Sequence, residues 1–371
     1  MSITAGLVGL PNVGKSTLFN ALTNAQVPAE NYPFCTIEPH IAVTMVPDSR
    51  LSSLQEMYQS QKIIPSHVQF VDIAGLVKGA ASGEGLGNQF LSHIREVNLI
   101  LHVLRCFEDP DITYSSQEID PCIDFDIITT ELMLKDAESV QKRLDKIGHL
   151  EKQAKHNAQE KKALADEKTL LVRCQEAIEE GAIEKVQKLI QNSTINTIPL
   201  LSAKPFLIIA NMSEDDISNN NYEQNTQYQK LINRFGKDRV IPVCARLEAE
   251  LTQLPSPEES QEMRSMLDIT KSGTAEIIAR VYKELGLISF FTCGPKEIHA
   301  WPIRQGMTIR KAAGSIHSDL ERGFICAEVF NYKDLDAAHS EAELRRLGKI
   351  RTEGQDYVVQ DGDIIHVRFN V

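Results

Sequence analysis

Nearly continuous runs of apolar residues mark several short segments of the chain. The clearest are Ile3–Val8, Leu99–Cys106 and Phe206–Ala210, and such runs are typical of parallel strands that helices cover on both faces. Shorter apolar segments predict further strands at residues 41–46, 68–71 and 240–244. We interpret His102 as a core histidine, because no Cys, Asp or second His stands near it at metal-ligand spacing. The pattern predicts an α/β domain with a mostly parallel sheet.

A long helical pattern interrupts this α/β pattern. From Asp126 to about Gln191 the chain has no proline, and charges of both signs alternate along it. Apolar residues recur there at helical intervals in two sets, at positions 134, 137, 140, 144 and 147 and at positions 170, 171, 174, 177 and 178. Two long helices folded back as an antiparallel coiled-coil hairpin explain both sets. We therefore expect an insertion at 126–202 within a domain formed by 1–125 and 203–286.

The last part of the chain, residues 287–371, has a third pattern. Residues 289–293 and 299–303 suggest two short strands of a hairpin, and 325–330 and 364–369 alternate as strands do. A helix is predicted within the segment Met307–Leu320, with its start at Thr308. These elements predict a small separate domain of the α+β type.

Composition limits the class of protein. Apolar residues make up 42% of the chain and charged residues 24%, and the net charge of -12 argues against coating nucleic acid through an overall positive field. The seven cysteines are scattered and form no C-x-x-C pair, which favours neither a disulfide framework nor a zinc site. No apolar run approaches the ~18 residues of a membrane span, and the N-terminus lacks a signal-peptide pattern. We expect a cytoplasmic monomer that does not span a membrane.

The segment Gly9–Thr17 reads GLPNVGKST and fits the phosphate-binding pattern G-x-x-x-x-G-K-S/T at every fixed position. It stands between a predicted strand and a helix start, so its backbone N–H groups can surround a phosphate chain at the helix N-terminus. Lys15 would reach the outer phosphates and the Ser16 hydroxyl would hold Mg²⁺. The segment predicts a nucleotide-binding loop.

A second segment follows the strand at 68–71. Asp72 ends that strand, at the position from which P-loop NTPases hold Mg²⁺. From Gly75 to Gly87 the chain has five glycines within thirteen residues, and such a segment has little intrinsic order. The Gly75 N–H could sense a γ-phosphate, which would make the segment a switch. The alternative is a surface loop without this role.

The loops after the strands at 206–210 and 240–244 should flank the base of the nucleotide, because ligands bind at the carboxyl edge of parallel sheets. GTP-binding proteins read guanine there with N-K-x-D, whereas this chain has Asn211-Met212-Ser213-Glu214. Met212 would lie against the base, Asn211 would orient the site, and the longer Glu214 replaces the aspartate that binds guanine. The change should remove most of the advantage of guanine, because a site built to bond a group rejects analogues that lack it.

The hairpin carries a local excess of positive charge. Residues 142–168 contain eight basic and five acidic side chains, a net charge of about +3. A solvated helical face explains this charge. The alternative is a lever whose basic tip contacts RNA phosphates.

The motifs together resemble one known family. GLPNVGKST, PFCTIEP, DIAGLVKGAASGEGLGN and NMSE occur in the order seen in the YchF group, also called Obg-like ATPases, and the resemblance runs over essentially the whole chain. It implies a P-loop NTPase core of the translation-factor class, a coiled-coil insertion and a C-terminal TGS domain of β-grasp type. It also implies a preference for ATP and association with ribosomes or translation components.

The resemblance also implies roles for single residues. The phosphates would be wrapped by Asn12, Val13, Gly14, Lys15, Ser16 and Thr17. Ser16 and Thr36 would ligate Mg²⁺, and Gly75 would sense the γ-phosphate. In related potassium-stimulated proteins an asparagine at the position of Asn12 helps to hold a monovalent cation, so K⁺ is a further hypothesis.

Two positions depart from catalytic patterns and keep alternatives open. Leu76 stands where Ras-like enzymes have a glutamine that orients water, so intrinsic hydrolysis should be slow. Tyr114 stands where members of the family commonly have a histidine. The first hypothesis is an ATPase switch that binds ribosomes. The alternatives are an Obg-like GTPase and a non-catalytic adenine-nucleotide sensor that acts through protein contacts.

Overall fold

The computed structural model describes residues 3–24, 40–73, 86–110, 118–153, 158–218, 221–269 and 271–370. The strands are β1 Thr4–Val8, β2 Ile41–Met45, β3 Lys62–Ile64, β4 His67–Asp72, β5 Leu99–Arg105, β6 Phe206–Asn211, β7 Val240–Val243, β8 Leu287–Cys293, β9 Glu297–Arg304, β10 Phe324–Asn331, β11 Arg351–Glu353 and β12 Asp363–Phe369.

The helices before residue 287 are α1 Lys15–Asn24, α2 Arg50–Tyr58, α3 Leu86–Glu96, α4 Pro121–Gln153, α5 Ala158–Glu179, α6 Ile183–Gln191, α7 Glu214–Ser218, α8 Thr226–Phe235, α9 Ala245–Leu251, α10 Pro257–Met266 and α11 Gly273–Glu284. The helices after it are α12 Ile309–Ile316, α13 Ser318–Arg322, α14 Tyr332–Ala338 and α15 Glu341–Arg346.

The first sheet has the strand order β2-β4-β1-β5-β6-β7. Its neighbours are parallel except β2 and β4, which form an antiparallel ribbon at one edge. Every residue of β5 and of β6 is buried, because helices cover both faces of the sheet. The predicted α/β class with a mostly parallel sheet is confirmed.

His102 lies in this core, 1% exposed. Its ring contacts those of Phe125 and Phe206, at centroid distances of 4.6 and 5.7 Å. The interpretation of His102 as a core histidine is confirmed.

The insertion begins as the predicted pair of long helices, α4 and α5, and continues with α6, which the sequence pattern did not separate. The two long helices are tied together by Arg143, whose guanidinium donates two hydrogen bonds to Glu167 at 2.8 and 2.7 Å. At the other end Asp136 of α4 accepts hydrogen bonds from the Leu201 and Ser202 backbone N–H groups, at 2.9 and 2.7 Å. This carboxylate fixes the base of the hairpin to the chain that enters β6.

The second sheet has the order β11-β10-β12-β8-β9-β3. Apolar clusters lie on both of its faces, one with α12 and the other with α2, α14 and α15. The prediction of a single helix over Met307–Leu320 is wrong, because the structure has two helices there, α12 and α13. His317 is extended there (φ -161°, ψ 143°) and its Nδ1 accepts the Asp319 N–H at 3.2 Å, so it caps the second helix.

One strand of this sheet comes from a distant part of the sequence. β3 lies between β2 and β4 in the chain, yet it pairs with β9 in parallel, Lys62 opposite Glu297 and Ile64 opposite His299. Sequence reasoning placed residues 50–64 with the nucleotide-binding domain. The proposed domain boundaries stay a prediction, and the packing of 50–64 against the C-terminal sheet is an additional feature.

Candidate functional site

The candidate site lies at the carboxyl edge of the first sheet, where β1, β4, β5, β6 and β7 all end. The loop after β1 carries Gly9–Thr17, and α1 begins within it at Lys15. Since parallel strands bring their carboxyl ends to one edge, the predicted phosphate, metal and base segments meet there.

The phosphate-binding loop has the backbone that an anion cradle needs. Asn12 and Gly14 both have positive φ, 64° and 91°, and such turns direct consecutive N–H groups to one side. Between them the Val13 side chain is fully buried, which anchors the loop to the core. The side chains of Asn12, Ser16 and Thr17 are exposed. The loop therefore presents backbone donors and hydroxyls to the outside.

Asn211 joins the phosphate loop to the start of α9. Its Nδ2 donates to the Val13 carbonyl at 2.8 Å, and its Oδ1 accepts the Ala245 N–H at 3.0 Å. The side chain is 5% exposed, so both halves of the carboxamide are used by protein groups. Asn211 thus bonds two loops to each other, and its role in orienting a bound base stays a prediction.

Lys15 and Asp72 lie next to each other. The Lys15 ammonium contacts the Asp72 carboxylate, and the two side chains are only 11% and 14% exposed. The residue predicted to reach the phosphates thus lies beside the residue predicted to ligate Mg²⁺. Ser16 is the second residue of α1. A hydroxyl and a carboxylate are the hard oxygen donors that Mg²⁺ takes when phosphates supply the rest of its shell, so these residues fit the ion.

The residues after Asn211 differ in exposure. Met212 is 2% exposed and packs in the core of the domain, with its N–H bonded to the Val243 carbonyl at 2.8 Å. Contact between Met212 and a base would therefore need its side chain to turn outward. Glu214 is exposed in the first turn of α7. The carboxylate of Glu214 is thus the accessible side chain of the predicted base-reading segment.

A buried ion pair that sequence reasoning missed supports α9. The Glu248 carboxylate accepts hydrogen bonds from both terminal nitrogens of the Arg264 guanidinium, at 2.9 and 3.1 Å. It also accepts one from the Gly273 N–H at 2.8 Å. Burial alone would raise the pKa of Glu248, but these donors lower it below its usual value. The ion pair holds α9 in place, and the first N–H group of α9, that of Ala245, donates to Asn211. No local motif signals it, because Glu248 and Arg264 lie on different helices.

Arg105 is a second residue that sequence reasoning missed. It ends β5 and is 1% exposed, and its guanidinium donates to the carbonyls of Phe107 at 3.0 Å and Asp109 at 3.2 Å. A cation inside an apolar run signals a special contact, since charged side chains are rarely fully buried. Arg105 shapes the loop that leaves β5 at the edge of the site.

Several of the expected site residues lie outside the described residues. These are Thr36 for the metal, Gly75 for the γ-phosphate, and Leu76 and Tyr114, the two departures from catalytic patterns. Their assignments stay predictions.

Comparison with known proteins now identifies the family. Residues 287–370 match a family model named YchF-GTPase_C, a protein of unknown function (DUF933), and residues 4–134 match a model described as a 50S ribosome-binding GTPase. The ribosome-binding ATPase YchF of Bacillus subtilis (strain 168) is 45% identical over 375 residues, and that of Escherichia coli O157:H7 is 42% identical over 373. Both alignments cover 100% of each chain. The chain belongs to the YchF family.

A solved YchF structure agrees with this fold. The Schizosaccharomyces pombe YchF GTPase is 36% identical, with a TM-score of 0.83 over 99% of this chain and 98% of that one. The chain is accordingly a P-loop NTPase with a YchF C-terminal domain. The names of these YchF proteins differ between ATPase and GTPase, so the base preference has to be argued from the site. No helix among the described residues is long and apolar enough to cross a membrane.

Proposed function

We propose that this YchF protein is an ATP-binding, slowly ATP-hydrolysing switch that associates with ribosomes. The observation that carries the ATP assignment is the segment Asn211–Glu214, which leaves β6 at the candidate base site while Asn211 is bonded to the phosphate loop. The curated relatives are named ribosome-binding ATPases, which supports both halves of the proposal.

The physical case for ATP concerns donors and acceptors. Guanine binding in N-K-x-D proteins uses an aspartate that accepts the N1–H and the 2-amino group, and adenine has neither donor. Here Glu214 replaces that aspartate at the start of α7, and Met212 replaces the lysine whose stem packs along the base. A carboxylate displaced by one methylene binds guanine less well, whereas adenine loses nothing.

Mg²⁺ is the expected cofactor. Ser16 and Asp72 supply described oxygen donors, and Thr36 is a third proposed ligand. Within the described residues no group of three or more His, Cys, Asp or Glu side chains could hold a metal, which suits an ion held mainly by nucleotide phosphates. K⁺ near Asn12 is part of the proposal, and unchanged turnover when Na⁺ replaces K⁺ would contradict it.

The ribosome contact is proposed for two surfaces, the helical hairpin and the C-terminal domain. Lys142, Lys146, Lys161 and Lys162 are exposed on the hairpin, and their charges could contact RNA phosphates. The Arg143 and Lys168 charges are partly neutralised by Glu167 and Glu151. We also propose that the protein is cytoplasmic and monomeric.

The test is binding and hydrolysis of ATP and GTP by the purified protein, with and without ribosomes, at two salt concentrations. We expect preferential ATP binding, slow turnover, and ribosome binding that weakens as salt increases. Equal competition by ATP and GTP would contradict the ATP assignment and favour an Obg-like GTPase. ATP binding with no turnover, even with ribosomes, would favour a non-catalytic sensor.

A further inference from the structure

Residues 50–64 connect the two sheets of the protein. They leave the first sheet after β2 and return to it at β4, and between these strands they fold as α2 and β3 within the C-terminal domain. Leu51 and Leu54 of α2 are 5% and 0% exposed and pack in one apolar cluster with Phe291, Phe330 and Ile364. The C-terminal domain is therefore built partly from a segment inserted between two strands of the nucleotide-binding sheet.

Polar contacts fix this segment at its start. The Arg50 guanidinium donates to Asp361 at 2.8 Å and lies 4.9 Å from the centre of the Phe291 ring. Asp361 in turn accepts the Ser289 N–H at 2.9 Å. Arg50 also donates to Asp48 at 2.8 and 2.7 Å. A planar guanidinium held by two carboxylates allows little change of orientation.

Further contacts fix the other end of the segment. The Tyr58 hydroxyl donates to Glu341 at 2.6 Å, and the Ser60 hydroxyl donates to the Gly294 carbonyl at 2.5 Å. β3 then pairs with β9 over three residues. These strand pairs and the two hydroxyl contacts hold the end of the segment on the C-terminal sheet.

The opposite end of the β2–β4 ribbon lies at the nucleotide site. β4 ends at Asp72, whose N–H bonds to the His40 carbonyl at 2.9 Å, just before β2 begins. The two strands pair antiparallel from Ile41 opposite Val71 to Met45 opposite His67. The ribbon thus joins the carboxylate beside Lys15 to the segment that is docked on the C-terminal domain.

We propose that the β2–β4 ribbon transmits the nucleotide state to the C-terminal domain, with the Arg50–Asp361 and Tyr58–Glu341 contacts as the coupling points. The inference rests on the proposed function, since it requires a bound nucleotide whose phosphates change. The coupling requires that the contacts of Asp72 differ between a bound triphosphate and a bound diphosphate, each with Mg²⁺. The ribbon and its docked segment carry that difference to the second sheet, because packed elements shift as units between discrete arrangements.

Hydrogen exchange of the full chain tests this coupling. We expect amides at residues 50–64 and in β9 to change protection by roughly fivefold or more between a non-hydrolysable ATP analogue and ADP, both with Mg²⁺, as for typical allosteric coupling. Arg50→Gln should reduce that difference while the affinity for each nucleotide stays within about twofold. Tyr58→Phe, which removes a single hydroxyl, should reduce it less.

Arg346→Gln is the matched control, since Arg346 forms an exposed ion pair with Glu343 inside the C-terminal domain. It should leave the difference unchanged. Equal protection of 50–64 and β9 in both nucleotide states, while residues 9–17 respond, would overturn the coupling and leave the proposed function standing. A response to GTP analogues alone, at the loop and at 50–64 together, would overturn the ATP assignment and support the coupling.

Discussion

The Asn211 carboxamide occupies the space in which any side chain on Gly14 would lie. A Cβ built on Gly14 would come within 2.1 Å of Asn211 Nδ2, and Gly14 has φ 91°, where L side chains are strained. The Asn211 side chain and the phosphate loop therefore pack closely against each other at Gly14.

Gly14→Ala should lower nucleotide affinity by at least about tenfold, because the methyl group must displace Asn211 or distort the loop. Titration of the purified variant with ATP measures the effect. Gly354→Ala is the control, since no atom lies within 4 Å of its Cβ and its φ is not positive. Unchanged ATP affinity in Gly14→Ala would contradict the close fit.

Asp72→Asn should raise the Mg²⁺ concentration needed for half-maximal hydrolysis by roughly tenfold, because a neutral amide is a weaker ligand for a hard cation. Titrating turnover with Mg²⁺ gives this value. Asp238→Asn is the matched control, since the Asp238 side chain is 97% exposed and distant from the loop in sequence. An unchanged Mg²⁺ requirement would remove Asp72 from the metal site.

His102 should make the protein sensitive to acid. Burial lowers its pKa from 6.5 to about 3, and its Nδ1 forms no hydrogen bond within the described part of the chain. Between these values the unfolded chain binds the proton and the folded protein does not, so the free energy of unfolding falls as pH falls from about 6.5 towards 3. Each pH unit in this window costs up to about 1.4 kcal/mol.

His102→Phe keeps the aromatic contacts with Phe125 and Phe206 and removes the titrating group. Denaturant unfolding at pH 7 and pH 5 should show a loss of stability about 1–2 kcal/mol smaller than in the parent. His149→Gln, on the exposed surface of α4, should behave as the parent does. Equal losses in all three proteins would show that His102 does not cause the acid sensitivity.

The hairpin lysines should contribute electrostatically to ribosome binding. Lys161→Glu with Lys162→Glu should weaken binding at low salt by tenfold or more and flatten its dependence on salt, because each lost phosphate contact reduces the number of counterions released. Lys271→Glu with Lys283→Glu makes the same charge change on exposed residues that lie outside both proposed contact surfaces. Equal effects of both pairs would indicate a general field and not a hairpin contact.

Much of the fold follows from local pattern. β5 and β6 are buried along their whole length, so their apolar runs are distinctive, and the hairpin helices have a sustained helical period. β3 could not be predicted as part of the C-terminal sheet, because its pairing with β9 joins residues more than 230 positions apart. The break at His317 was missed because the apolar pattern continues through it.

The candidate site divides in the same way. Lys15, Asp72 and Asn211 each belong to a short motif that can be recognised in the sequence. The structure brings the three residues together at one edge of the sheet. The pairing of Glu248 with Arg264 depends on how α9 and α10 pack, which no local motif encodes. The burial of Met212 is also a tertiary effect, since its identity alone suits either a core or a base contact.

The most direct test of the account is the ratio of the dissociation constants for GTP and ATP in the double variant Met212→Lys, Glu214→Asp. These changes give the guanine-reading pattern N-K-x-D, and they leave Asn211, which bonds Val13 and Ala245, unsubstituted. We predict that the parent prefers ATP and that the variant shifts the ratio towards GTP by at least about tenfold, which is about 1.4 kcal/mol. An unchanged ratio would contradict the claim that residues 211–214 select the base.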